Sequence, residues 1–200
     1  GRYSEAIPLL TEWRDKSPYE VVAWMLLGSA YAGIGNPTEA EECFTTCTRL
    51  RPQFAFSYFQ RGLARFEQRK FLGAIDDFGT HMRLEGRSVP ALVNRALAQY
   101  AIGDYTASQD DLESALALGA TQTRIYFIRS DVRTHLGDEL GAKADHALAL
   151  KLTPKDAASY LARGAARLAT DPEGALKDFR EALVLEPGLP EPAPGKLPPQ

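Results

Sequence analysis

The sequence is poor in the residues that carry out chemistry. Of its 200 residues, two are cysteine and three are histidine. Cys43 and Cys47 stand four apart on one helical stretch, neighbours there but badly placed for a disulfide. Two thiols are also too few to hold a metal. They are expected to be small buried hydrophobes in a reducing compartment. His81, His135 and His146 are scattered, and His146 falls where a core residue is expected. Asp131 and His135 lie one turn apart, a spacing that supports acid–base chemistry, but no nucleophile accompanies them. Asp76 with Asp77 and Asp110 with Asp111 are adjacent, so their carboxylates point different ways on a helix. There is no glycine-rich phosphate loop and no kinase signature. No catalytic residue, cofactor or metal is therefore expected.

Charge is scarce as well. Charged residues make up 24% and the formal net charge is -3, which gives no field to draw in nucleic acid or anionic lipid. Arg61, Arg65 and Arg69 form a basic row, but acidic neighbours make it a solvated or paired stripe. No apolar run approaches the roughly 18 residues that span a bilayer. No signal peptide is evident, so membrane insertion is not expected and a cytoplasmic setting is. The chain opens Gly1, Arg2, Tyr3, in the middle of a repeat, and reads as a piece of a longer protein.

What the sequence has is a period. Leu27, Arg61, Arg95, Arg129 and Arg163 follow one another at steps of 34 residues, each before a small residue: Gly28, Gly62, Ala96, Ser130 and Gly164. A fixed period of this length marks a stack of similar units. In residues 21–54, Trp24, Leu27, Gly28 and Tyr31 share one helical face. Gly35, Asn36 and Pro37 break that helix, and Ala40, Phe44 and Cys47 restart the rhythm until Pro52 stops it. Each repeat is thus two antiparallel helices of roughly 14 residues, each about 21 Å long.

This pattern resembles the tetratricopeptide repeat (TPR), in the style of bacterial TPR arrays. The resemblance covers residues 1–187. It gives a leading half repeat at 1–18 and full repeats at 21–54, 55–88, 89–122, 123–156 and 157–189, the last one residue short at Asp171 and Pro172. It implies an all-α fold, a right-handed superhelix of antiparallel helix pairs. Pro8 is expected to kink or fray the half repeat. Gly28, Gly62, Ala96, Ser130 and Gly164 are expected to face Ala40, Ala74, Ser108, Ala142 and Ala175, letting paired backbones approach. From Glu186 onward prolines crowd the sequence, and residues 188–200 read as a stiff tail.

A second regularity comes from the residues alone. Arg61, Arg95, Arg129 and Arg163 share one position, and Asp77, Asp111, Asp145 and Asp178 share another. In the repeat 21–54 both are replaced together, by Leu27 and Cys43. Joint presence and joint absence predict four arginine–aspartate pairs, structural in role, each partly exposed and worth about 0.2–1 kcal/mol.

The resemblance also implies a working face. In TPR arrays the first helices line the concave side. The positions carried over are Met25 and Ser29; Phe56, Phe59, Gln60 and Leu63; Val93, Asn94, Leu97 and Tyr100; Arg124, Phe127, Ile128 and Asp131; Leu161 and Ala165. This apolar strip with a few polar groups is expected to bind a protein or extended peptide, non-catalytically. The carboxylate clamp of chaperone-binding TPRs is disfavoured, because Phe59, Leu63 and Ile128 occupy three of its five positions beside Asn94 and Arg124. Two other readings stand. The chain is the accessory region of a larger bacterial enzyme, such as a Ser/Thr protein kinase. Or it forms a homodimer through its N-terminal end, around Ile7, Leu10 and Trp13.

Overall fold

The computed structural model describes residues 2–189, and residues 190–200, which hold most of the expected tail, lie outside the described residues. The described residues form eleven helices and no strand. They are α1 (Tyr3–Lys16), α2 (Val21–Gly33), α3 (Pro37–Leu50), α4 (Ala55–Glu67), α5 (Phe71–Glu85), α6 (Val89–Ala101), α7 (Tyr105–Ala117), α8 (Thr123–His135), α9 (Glu139–Lys151), α10 (Ala157–Arg167) and α11 (Pro172–Leu185). The fold is an all-α helical repeat. Two compact units are present, Gly1–Leu118 with α1 to α7 and Gly119–Gln200 with α8 to α11.

Local chemistry sets the helix ends. Asp104, Asp138, Asp156 and Asp171 each accept a hydrogen bond from a backbone N–H three residues on, closing the first turn of α7, α9, α10 and α11. Pro37 and Pro172 open α3 and α11, where a missing N–H costs nothing. The tight turn inside three pairs needs a left-handed residue, supplied by Gly35, Gly103 and Gly137. In the α4–α5 turn the same position holds Arg69, at φ 60°. Pro8 lies within α1, and the helix continues on both sides of it.

In the first unit, α2 packs on α3, α4 on α5 and α6 on α7, and each first helix also packs on the second helix before it. Phe44, Phe78 and Leu112 are fully buried between paired helices. The small residues lie beneath those rings. A Cβ added to Gly62 would come within 2.8 Å of the Phe78 ring, and one on Gly28 within 3.0 Å of the Phe44 ring. The aromatic ring is therefore the nearest neighbour of these glycines. The expected small-on-small approach is seen where serine takes part: Ser108 Oγ donates to the Ala96 carbonyl and Ser130 Oγ to the Ala142 carbonyl, both at 2.9 Å.

In the second unit, α8 packs on α9 and α10 on α11, but α10 lies mainly against α8 and meets only the edge of α9. His146, expected in the core, is exposed on α9, while Phe127 of α8 is buried and meets its ring edge-on at 5.4 Å. An imidazole loses hydration when buried and a phenyl ring gains by it, so the two trade places.

Candidate functional site

The arginine–aspartate positions are brought together in all four pairs. Arg61 donates to Asp77 through Nε and Nη2 at 2.9 and 2.6 Å, and Arg95 to Asp111 at 2.7 Å through both. Arg129 reaches Asp145 at 2.7 and 2.6 Å, and Arg163 reaches Asp178 at 2.9 and 2.6 Å. These are two-pronged bonds with fixed geometry. The aspartates are buried, so the pairs are not the partly exposed contacts expected from sequence. Burial opposes the Arg61 charge, but the hydrogen bonds and charge of Asp77 outweigh it and raise the guanidinium above its ordinary range. The Tyr58, Tyr126 and Tyr160 rings lie against three of these guanidiniums at 5.4 to 5.7 Å.

A second arginine, one turn further along, completes three of the sites. Arg65 donates to Asp77 at 2.9 Å, Arg133 to Asp145 at 2.8 Å and Arg167 to Asp178 at 3.1 Å. In α6 the position holds Gln99, whose amide nitrogen, turned inward, reaches Asp111 at 3.0 Å. The signal was present in the sequence, since Arg65, Arg133 and Arg167 also keep the repeat register. Arg65 further donates to Glu41, which also accepts from Gln68 and Lys70. Burial works against the Glu41 carboxylate, yet these donors outweigh it and bring it down to about 2.

This scaffold holds the first helices with one side outward. In the first unit that side carries Val22 at 42% exposure, Leu26 at 39% and Phe56 at 38%. Gln60, Leu63, Asn94 and Leu97 are half-buried beside them. Phe59 is tied down, its ring 5.6 Å from Phe78 and 5.2 Å from His81. Val93, expected on the surface, is 1% exposed. In the second unit Arg124 and Ile128 are half-buried and Asp131 is exposed, but Phe127, also expected on the surface, is 8% exposed. Val93 and Phe127 share a register position, as 34 residues separate them, and that position points into the packing rather than to water. Neighbouring first helices touch each other, as α4 touches α6 and α8 touches α10, and this covers part of each helix face. The open positions one residue to the side include Val22 and Leu26, which sequence reasoning passed over for Met25 and Ser29.

Nothing here is arranged for catalysis as a triad or metal centre would be. Among the described residues no group of three or more His, Cys, Asp or Glu is placed to hold a metal ion. His135 Nδ1 meets the backbone carbonyl of Asp131 at 2.8 Å. Burial raises the Asp131 carboxyl above its ordinary range, partly offset by His146 and His135. Cys43 and Cys47 are buried and free, and burial pushes their thiols up to about 12 and about 11, away from reactive thiolate. No helix among the described residues is long and apolar enough to cross a membrane.

Comparison with known proteins fits this geometry. The family model described as tetratricopeptide repeat matches residues 21–54. Protein FlbA of Caulobacter vibrioides is 31% identical over 86 residues, which are 43% of this chain but 14% of FlbA. A tetratricopeptide repeat protein from Parabacteroides merdae superposes with a TM-score of 0.76 at 22% identity, over 93% of this chain and 73% of that one. YrrB, a TPR protein with an unusual peptide-binding site, gives a TM-score of 0.64 at 14% identity, over 90% of this chain and 93% of that one. The first TPR of Spaghetti (RPAP3), bound to the HSP90 peptide SRMEEVD, gives 0.50 at 28% identity, over 52% of this chain and 82% of that one.

Proposed function

We propose that this tetratricopeptide-repeat array binds a protein or peptide segment along the outward side of its first helices, without catalysing a reaction. The observation that carries the reading is the apolar strip of Val22, Leu26 and Phe56 on α2 and α4, which touch each other. Large side chains turned to water from two adjacent helices lose free energy in isolation and regain it under a partner. Phe56 is stiffened by its neighbour Phe54, their rings 5.8 Å apart, which lowers the ordering cost of binding. Gln60 and Asn94 sit beside the strip. Asn94 Nδ2 is held by the Pro90 carbonyl at 2.9 Å, which leaves Oδ1 to accept from a ligand backbone N–H. In the second unit, Arg124, Ile128 and Asp131 are the matching candidates on α8, and Arg124 Nε is buried with no hydrogen-bond partner among the described residues. That two solved TPR neighbours are described with a peptide or a peptide-binding site supports the reading by analogy of fold.

The test is peptide display against the chain, repeated against a Leu26→Glu/Phe56→Glu variant. Peptides with apolar anchors that bind the parent and lose about tenfold or more on the variant support the reading. Peptides bound equally well by both would rule out this strip.

A second reading has one observation in its favour. The stretch matched to FlbA is a small part of that protein, so an array like this one can serve inside a much larger chain. In that setting the array would be the accessory binding region and any chemistry would reside elsewhere.

A further inference from the structure

The two units treat the same groove differently. In the first unit the groove of the α4–α5 pair is filled by the next first helix: Ala74 and Phe78 of α5 form one cluster with Ala98 of α6, with Phe66 and Ile75 packed around it. Two repeats on, at a step of 68 residues, the corresponding positions are Thr134 for Phe66, Lys143 for Ile75, His146 for Phe78 and Ala166 for Ala98. Here the groove of the α8–α9 pair is an open cleft, lined among others by Thr134, Lys143, His146 and Leu150. The helix that would fill it, α10, lies beside it against α8. Ala98 is fully buried, whereas Ala166 is half-buried.

The start of α10 is nonetheless anchored. Ser159 is buried and its Oγ accepts from the Arg124 backbone N–H at 3.2 Å. Arg163 Nη1 donates to the Leu152 carbonyl at 2.7 Å. The α10–α11 pair is firm within itself, because Arg163 and Arg167 both grip Asp178. A rigid pair fixed at one end and free of its groove at the other has the form of a hinge.

We propose that α10–α11 is a closing element that pivots on its Ser159 anchor, between this open arrangement and a closed one in which Ala166 seats over position 146 as Ala98 seats over Phe78. Lys143 and His146 set the balance toward open. Closure would strip water from an ammonium and an imidazole, and the arriving Ala166 side chain offers neither a hydrogen bond. At the same positions the first unit has Ile75 and Phe78, which gain by being covered. The last pair of the array is thus adjustable where the earlier pairs are locked, and the identity of two side chains sets the difference.

The experiment is a graft of the first unit's residues, Lys143→Ile with His146→Phe, read by amide hydrogen exchange. Exchange within α10 is expected to slow about tenfold as Ala166 becomes covered, with α2 to α7 unchanged. Adding Ala166→Glu, which blocks seating, is expected to return α10 to the parent rate. An unchanged rate in the graft, or a slowing that Ala166→Glu fails to reverse, overturns the proposal. Should the graft not fold, a His146→Cys/Ala166→Cys variant decides. Disulfide formation on adding an oxidant supports a visited closed state, and its absence in the folded variant overturns it.

Discussion

In the pair α6–α7, Arg95 and Asp111 can be exchanged for the residues that α2–α3 uses at the same two positions. The variants are Arg95→Leu, Asp111→Cys and the double, which copy Leu27 and Cys43, themselves buried in this fold. Arg95→Leu leaves the Asp111 carboxylate, whose side chain is 7% exposed, with only the Gln99 amide for support. An uncompensated buried charge of this kind costs about 3–5 kcal/mol. Asp111→Cys costs less, because the Arg95 side chain is 28% exposed and its head can turn to water, so about 1–3 kcal/mol is expected. The double variant removes both charges together and replaces them with an apolar pair that the same fold already accommodates. It should lie within about 1–2 kcal/mol of the parent, leaving a coupling energy of about 2–5 kcal/mol. Urea unfolding followed by circular dichroism gives the totals, and amide exchange in α6 and α7 assigns the loss to this pair, since repeat arrays do not always unfold in one step. If the double variant is no more stable than the Arg95→Leu single, the reasoning that the two residues form one exchangeable unit is refuted.

Further predictions rest on other contacts. Gly62→Ala places a Cβ against the Phe78 ring, which is itself boxed in by Phe59, so about 1–3 kcal/mol of destabilisation is expected in thermal unfolding. Arg69→Gly relieves a left-handed backbone in the α4–α5 turn and should stabilise by about 0.5–1 kcal/mol, less whatever the Arg69–Phe71 contact contributes; a loss of stability would count against strain at that turn. Glu41, with its folded value near 2 against an ordinary 4.5, contributes stability that is fully present above pH 4.5 and is lost as pH falls toward 2. Because Lys70 is about half exposed, the contribution is about 1 kcal/mol, and the gap between the parent and Glu41→Gln should shrink between pH 6 and pH 3. A gap that stays constant over that range would remove Glu41 as its source.

Much of this protein is fixed along one dimension. The 34-residue period, the prolines and aspartates at the helix starts and the glycines of the turns act within a few residues, so the helices and their pairing were readable from sequence. The arginine–aspartate pairs were readable for a related reason. Arg61 with Asp77 and its three counterparts are set by repeat register, and the repeat 21–54 supplied the contrasting case in the same chain. The second arginines, Arg65, Arg133 and Arg167, were equally in register, but Gln99 breaks their series and hid them.

The outward face was not readable in the same way. Helical periodicity tells which residues share a side of one helix, but not which neighbouring helix covers that side. Val93 and Phe127 were therefore placed at the surface and Val22 and Leu26 were passed over, until the contacts of α4 with α6 and α8 with α10 showed where the cover lies. His146 is the sharpest case. Its register position is a core position in α3, α5 and α7, yet whether a helix sits over it depends on where α10 lies, and that is decided by packing between elements far apart in sequence. Burial is a property of the assembled neighbours of a residue, so local sequence determined the repeats and their internal ties, and only the tertiary structure decided which side chains meet water.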